Sequence, residues 1–466
     1  METAPFDATA ALHAVNALRS QFNSGATRPY KARRDALRAL AKAVRAHEAD
    51  ILSALHAEMR RPAFESYLSE VGLLQAEIAH ALEHLREWMR PLQPSTPLVM
   101  QIAASEVHWQ PKGVVLIVAP WNYPIFLLFS PLVAAIAAGN CAVLKPSEDS
   151  PHAAAVVERI IATAGLGSWA TVVQGEGRVA VPALINGSRF DHILFTGSAR
   201  VGALVAAQAA PQLIPITLEL GGKNPTIVDR HTNITLAAKR IAWGKCFNAG
   251  QTCISPDHVL VHAEVMEPFI EAYVRTLKGF YGADPRQSPH YGRIANKRRF
   301  DVLRDYLDHG RIRHGGEHAE AEHYIAPTVL TDVPLDAPPM KEEIFGPILP
   351  VRPWHERKEV LEIVQRSPAP LACYIFSKDA DTVRYFNERI AFGGGCVDHV
   401  MAQVGNPDLP FGGIGHSGMG RYHGRYGFET FSHAKSLVRA GTLFDPGVQY
   451  PPYTAFKNKV LRWVLR

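Results

Sequence analysis

The sequence predicts an α/β fold built on a doubly wound parallel sheet, and three observations carry that prediction. A short β-branched run bounded by Gly and Pro lies at residues 113–119, and similar runs follow at 141–144, 170–173 and 192–195. Such runs read as strands buried on both faces. Helical stretches lie between them, at 130–138 and 153–164. Strand and helix therefore alternate at the spacing of βαβ units, whose sheets bind ligands beyond the carboxyl ends of the strands.

The elements follow in order. Across residues 8–90 apolar side chains recur at helical steps, as at Leu37, Leu40, Ala41 and Val44, and again at Leu52, Leu55 and Met59. Pro91 and Pro94 close this region, residues 99–110 follow, and the first strand is 113–119. A second α/β series starts at 225–228, with helices expected at 265–281 and 296–308 and a strand at 371–376. It reads as a second domain spanning roughly 220–395, packed against the first with a cleft between them. Residues 392–431 are rich in glycine and return to strand-like patterning near their end.

Size and composition narrow the function classes. A chain of 466 residues is too long for one simple core, so two or three domains are expected. Hydrophobic content of 47% and charged content of 20% are those of an ordinary globular protein. The net charge of +5 is spread along the chain, with no basic stripe interleaved with aromatics, which argues against nucleic-acid binding. The five cysteines are odd in number and lack C-x-x-C spacing, which argues against a disulfide framework or a zinc site. The N-terminus carries Glu2 and Asp7 among short apolar runs, unlike a signal peptide, and no apolar run is long enough to span a bilayer. A cytoplasmic protein with free thiols is expected.

Three separated stretches carry the chemistry. Asn248-Ala249-Gly250-Gln251-Thr252-Cys253-Ile254-Ser255 sets one thiol among residues that are poor core formers. Leu218-Glu219-Leu220-Gly221-Gly222 sets a carboxylate before two glycines that let backbone approach a ligand. Ala119-Pro120-Trp121-Asn122 places an amide directly after the first strand. A thiol, a carboxylate and an amide form an acyl-transfer set of nucleophile, base and oxyanion donor. Read singly, each residue is equally a core cysteine, a strand-end charge or a turn residue. Three further stretches are weaker. Thr196-Gly197-Ser198-Ala199-Arg200-Val201-Gly202 follows a strand and opens a helix, without the usual G-x-G-x-x-G pattern. Lys145-Pro146-Ser147-Glu148 ends the second strand, and Glu342-Glu343-Ile344-Phe345-Gly346-Pro347 pairs a carboxylate with a ring.

Taken together and in this order, these motifs resemble the aldehyde dehydrogenase superfamily over residues 10–453. The details resemble its class 3 branch, through Tyr324-Ile325-Ala326-Pro327-Thr328, Pro410-Phe411-Gly412-Gly413, Ser417-Gly418-Met419-Gly420 and Tyr422-His423-Gly424 among others. The resemblance implies that Cys253 attacks an aldehyde to form a thiohemiacetal. Asn122 and the Cys253 backbone N–H then hold the oxyanion, and Glu219 activates the water that hydrolyses the thioester. It implies a cofactor set of Lys145 and Glu148 on the adenosine ribose, Gly197 and Ser198 near the pyrophosphate, and Glu343 on the nicotinamide ribose. Phe345 packs near the ring, and Trp121, Gly202 and Leu220 complete the set. NAD ranks first and NADP second, because Glu148 repels a 2′-phosphate while Lys145 offsets it. No metal is implied.

The implied architecture is an aldehyde dehydrogenase-like fold with a Rossmann-type NAD(P)-binding domain from 1–90 and 113–219 and an α/β catalytic domain from 220–395. A small bridging β element comes from 91–112 and 396–440, and 441–466 form a tail. A homodimer joined through the bridging element is implied. The substrates expected are aromatic or medium-to-long aliphatic aldehydes. The readings weighed against this are an acylating or semialdehyde-specific relative and a catalytically silent scaffold. Glu219 argues against an acylating relative, which needs no water-activating base, and the retention of Asn122, Glu219, Cys253 and Glu343 argues against a scaffold.

One segment departs from the branch. Asp398 and His399 stand where Asn-Asp is expected, and Gln403 stands where a His is expected, which bears on substrate choice. The tail 457–466 is basic and amphipathic. It reads as a helix packed at the dimer or the substrate entrance, with a weak membrane-surface anchor as the second reading.

Overall fold

The computed structural model describes residues 6–97, 100, 103–443, 445 and 447–465. The first sheet has five parallel strands in the spatial order Ala170–Val172, Cys141–Lys145, Val114–Val118, His192–Thr196 and Ile216–Glu219. The chain thus reverses its direction of travel across the sheet between Val114–Val118 and His192–Thr196, the switch point where doubly wound sheets bind ligands. Gly418–Met419 adds a short antiparallel strand beside Ile216–Glu219, with Gly418 paired to Glu219.

Strand periodicity explains why this sheet is covered on both faces. Val114 and Leu116 pack with Val15 and Leu18 of the helix Ala8–Asn23. Val115 and Ile117 point the other way, into a cluster with Leu37, Leu40 and Ile78. Every residue of the helix Phe126–Ala138 is buried. That helix begins four residues earlier than the sequence suggests, because a segment apolar on all sides shows no periodicity to mark its start.

The second sheet runs Gly394–Val397, Ala372–Phe376, Pro225–Val228, His258–His262, Ile348–Trp354, Thr328–Thr331 and Arg311–His314. All neighbours are parallel except the last pair. The helices Met266–Tyr281 and Lys297–Tyr306 lie where the sequence predicts them.

A separate two-stranded ribbon pairs Ala103–Pro111 with Ser432–Ala440, in unbroken antiparallel register from Ala103↔Ala440 to Pro111↔Ser432. The run expected at 99–110 is the first of these strands, while Val99 lies outside the described residues. Between Gly394–Val397 and the ribbon, the chain crosses back to the first sheet at Gly418–Met419. The tail forms a helix, Ala455–Val464, whose Thr454 side chain accepts from the Lys457 N–H. Its Phe456 and Trp463 are exposed. Among the described residues, no helix is long and apolar enough to cross a membrane.

Candidate active site

The turn after strand Val114–Val118 carries Asn122 to the carboxyl edge of the first sheet, where Glu219 is the last residue of strand Ile216–Glu219. Cys253 lies on the segment that leads into strand His258–His262 of the second sheet. Its helix, Ile234–Cys246, ends in three consecutive left-handed residues, Asn248 (φ 52°), Ala249 (φ 51°) and Gly250 (φ 78°). Left-handed backbone strains a residue with a Cβ, so Ala249 must be held there by its surroundings. At Gly250 a Cβ would sit 2.3 Å from the Gly346 carbonyl oxygen, so only glycine fits.

Hydrogen bonds fix this turn on every side. The Asn248 side-chain amide donates to the Asn122 and Gln251 carbonyls at 3.1 and 3.2 Å. The Asn122 amide also donates to the Gln251 carbonyl, at 3.1 Å, and its Oδ1 has no partner among the described residues. The Gln251 amide donates to the Asn248 and Arg293 carbonyls. Asn224 Nδ2 donates to the Cys253 carbonyl at 2.7 Å and to the Ser255 carbonyl at 3.0 Å. The nucleophile candidate is thus tied both to the first-sheet turn and to the start of second-sheet strand Pro225–Val228.

Two cavities meet at Cys253, and Leu127 lines both. The first, about 320 Å³, is walled by Trp121, Asn122, Gly197, Ser198, Glu219, Leu220, Gly221, Glu343 and Phe345, with Arg299 beside them. The second, about 210 Å³, is apolar, with Phe126, Trp243, Phe247, Ile254, Met401 and Phe411 in its wall. No charged side chain lines this second cavity among the described residues.

The electrostatics are those of buried groups. Burial pushes the Cys253 thiol up to about 12, helped by the Glu343 and Glu219 carboxyls and opposed by the Cys253 and Ile254 backbone N–H groups. Burial raises Glu219 well above the carboxylate range, and neither of its oxygens has a hydrogen-bond partner among the described residues. Burial, with the charge of Asp257, lifts Glu343 to about 8, against the Gly222 N–H that bonds it. A buried carboxyl without partners is expensive to keep, which marks functional positions.

The residues fit a nicotinamide dinucleotide. At Gly221 a Cβ would lie 2.2 Å from Glu343 Oε2, so the glycine leaves that carboxylate room to face the cavity, and Glu343 Oε1 has no partner among the described residues. Trp121 and Phe345 meet edge to face with centroids 5.5 Å apart. Ser198 caps the helix Ala199–Ala209, accepting from the Val201 N–H, so that helix start borders the cavity.

Three sequence-marked residues lie outside that cavity wall. Lys145 is buried, and its Nζ donates to the Pro146 carbonyl at 2.6 Å and to Glu148 Oε2 at 3.4 Å. Glu148 Oε1 accepts from the Gly177 N–H at 2.9 Å, at the start of the helix Gly177–Gly187. At Gly202 a Cβ would meet Leu220 Cδ2 at 2.8 Å, so this glycine lets the helix close on the sheet.

Sequence reasoning did not single out Arg299, Arg61 or Glu70. Arg299 holds the loop beneath Glu343, donating to the Glu343 carbonyl at 3.0 Å and the Phe345 carbonyl at 3.4 Å. Its signal was hidden in a run of basic residues, Lys297-Arg298-Arg299, on an amphipathic helix. The departing segment forms a wall of the apolar cavity through Met401, Ala402 and Val404. There Gln403 bonds Cys396 Sγ and the Tyr374 hydroxyl instead of facing the cavity.

A family model described as the aldehyde dehydrogenase family matches residues 1–437. The chain is 42% identical to the 4,4'-diaponeurosporen-aldehyde dehydrogenase of Staphylococcus aureus, over 93% of this chain and 94% of that protein. It is also 42% identical to human aldehyde dehydrogenase family 3 member B1, with 95% of each covered. Among solved structures, the substrate-bound state of Staphylococcus aureus AldH superposes with a TM-score of 0.95 at 40% identity, covering 97% of this chain and 99% of that one. An indole-3-acetaldehyde dehydrogenase complexed with NAD+ superposes with a TM-score of 0.86 at 25% identity, covering 94% and 90%.

Proposed function

This chain belongs to the aldehyde dehydrogenase family and oxidises an aldehyde to its carboxylic acid with NAD(P)+, and from that premise we propose that Cys253, Asn122 and Glu219 carry the reaction. The observation behind this reading is that the polar and apolar cavities meet at one sulfur. Cys253, as thiolate, adds to the aldehyde carbon. The Asn122 amide N–H left free by Gln251, with the Cys253 backbone N–H, stabilises the oxyanion. Bound NAD(P)+ supplies the hydride acceptor, and collapse of the thiohemiacetal leaves a thioester on Cys253. Glu219 takes a proton from water, the water oxygen adds to the thioester carbon, and the carboxylic acid leaves as the thiolate is restored.

Trp121, Gly197, Ser198, Leu220, Glu343 and Phe345 would hold the nicotinamide half of the cofactor, with Gly202 allowing the helix Ala199–Ala209 to sit close. Lys145 and Glu148 would serve the adenosine ribose, with NAD favoured over NADP by the Glu148 charge. An apolar cavity without a cation suits aromatic or medium-to-long aliphatic aldehydes and gives the carboxylate of a semialdehyde no partner. The cofactor domain would be 1–90 with 113–219, the catalytic domain 220–395, the bridging element 91–112 with 396–440, and the tail 441–466. The exposed strand Ser432–Ala440, with Leu437 and Val438 facing out, supports a homodimer through the ribbon. Five free cysteines suit a reducing cytoplasm. The deciding experiment compares Cys253→Ala with wild type: aldehyde-dependent NADH formation should vanish while NAD+ binding persists. Retained turnover would refute the assignment.

A further inference from the structure

Arg61 and Glu70 are fully buried, and neither lines a cavity that meets Cys253. They face each other at 2.7 Å through Arg61 Nη1 and Glu70 Oε1. The rest of the guanidinium is spent on the two turns of the active site. Nε donates to Asn248 Oδ1 at 2.9 Å, Nη2 donates to the Asn122 carbonyl, and the group lies over the Tyr123 ring at 5.0 Å. The second Glu70 oxygen accepts the Ile125 and Phe126 N–H groups at 3.0 and 2.7 Å, at the start of the buried helix Phe126–Ala138. Glu70 itself sits on a single π-helical turn, Tyr67–Gly72, whose Leu68 and Ser69 line the apolar cavity. Such turns recur at functional sites.

A buried ion pair of this kind does little for net stability, because the cost of desolvating two charges offsets their attraction. Its hydrogen bonds show what it does instead. Asn122 comes from the first sheet and Asn248 from the turn that carries Cys253, and Arg61 grips both with one rigid fork. We propose that Arg61 and Glu70 are positioning residues for the oxyanion hole: they hold the Asn122 amide in register with the Cys253 backbone N–H, across the junction of the two domains, without touching the substrate. The proposal rests on the assignment of Asn122 and Cys253 given above. A group held through two turns is sensitive to small displacements, and a shift of about 1 Å at a reacting centre costs on the order of 10²-fold in rate.

The test measures the single-turnover rate of NADH formation, the KM for aldehyde and the affinity for NAD+ in Arg61→Lys, Arg61→Ala and Glu70→Gln. Arg61→Lys keeps the charge and loses the fork, so the single-turnover rate should fall by about 30–100-fold with NAD+ affinity within about twofold of wild type. Glu70→Gln, which keeps shape and an acceptor for the helix N–H groups, should fall by several-fold and stay folded. Free guanidinium ion at millimolar concentration should restore part of the rate of Arg61→Ala, an effect that a merely structural role would not produce. A wild-type single-turnover rate in both Arg61→Lys and Glu70→Gln would overturn the proposal. So would a parallel loss of NAD+ affinity, or the absence of guanidinium rescue in folded Arg61→Ala. Cys253→Ala, run alongside with and without guanidinium, separates the two claims: turnover in that variant breaks the underlying assignment, whereas an inactive Cys253→Ala beside a fully active Arg61→Lys breaks only the positioning role.

Discussion

Glu219 and Cys253 line the same cavity, yet neither oxygen of the Glu219 carboxylate has a hydrogen-bond partner among the described residues. A buried, unpartnered carboxyl close to a thiol suits a base that acts on water arriving after the first chemical step. Replacing it with an isosteric amide should therefore leave acylation intact. Glu219→Gln is expected to give a burst of about one NADH per active site, followed by steady turnover reduced by about 10²–10⁴-fold. Stopped-flow absorbance checks this, and loss of the burst itself would move Glu219 into the acylation step.

The pH dependence follows from the direction of two shifts. Burial raises both the Glu219 carboxyl and the Cys253 thiol, the thiol to about 12, so each keeps its proton to higher pH than an exposed group would. Both must lose that proton to act. Activity should therefore rise from neutral pH into the alkaline range, and the steady-state profile of Glu219→Gln should lose one of its limbs. A wild-type profile falling between pH 7 and pH 9 would contradict this.

Away from the chemistry, Glu77 accepts the Gly424 N–H at 2.8 Å, and burial raises its carboxyl to about 7 from an ordinary 4.5. A folded-state value above the unfolded one means that the folded protein holds the extra proton. The stability this contributes is present below about pH 4.5 and lost as pH rises through about 7, on the order of 3 kcal/mol in all. Glu77→Gln keeps the acceptor and cannot ionise. It should melt a few degrees above wild type at pH 8 and close to it at pH 5, by differential scanning fluorimetry. Equal melting at pH 8 would show that Glu77 ionises at no cost.

How far the sequence reveals this site depends on how local each signal is. Asn122 is visible because a β-branched run ends just before it and the carboxyl edge of a parallel sheet is where ligands bind, and Glu219 because two glycines follow it. The polar run around Cys253 is visible for what it lacks, a core pattern. The three left-handed residues are partly announced by Asn248 and Gly250, but Ala249 gives no warning. Arg61 and Glu70 are invisible because charged residues in a helical region read as a solvated face. Their partners are distant in sequence: Arg61 bonds Asn122, 61 residues away, and Asn248, 187 residues away, and Glu70 bonds Ile125 and Phe126, 55 and 56 residues away. Gly202 reads as part of a phosphate loop, and only the fold shows that its neighbour is the Leu220 side chain.

The Gly221 position separates cofactor from thiol chemistry. A Cβ there would lie 2.2 Å from Glu343 Oε2 and must displace that carboxylate. Gly221→Ala should raise the KM for NAD+ by about tenfold, roughly 1.4 kcal/mol of lost binding, while Cys253 alkylation by iodoacetamide proceeds at the wild-type rate. Unchanged NAD+ kinetics would remove Glu343 from the cofactor site.

The proposed reaction turns on a covalent thioester on Cys253 that waits for Glu219. Its most direct measurement is mass spectrometry of Glu219→Gln, acid-quenched within the burst after mixing with NAD+ and an apolar aldehyde. One acyl group per chain is expected, carried on the peptide that contains Cys253 and released by hydroxylamine. An unmodified Cys253 peptide at full burst amplitude, or an acyl group on Cys396 instead, would contradict it.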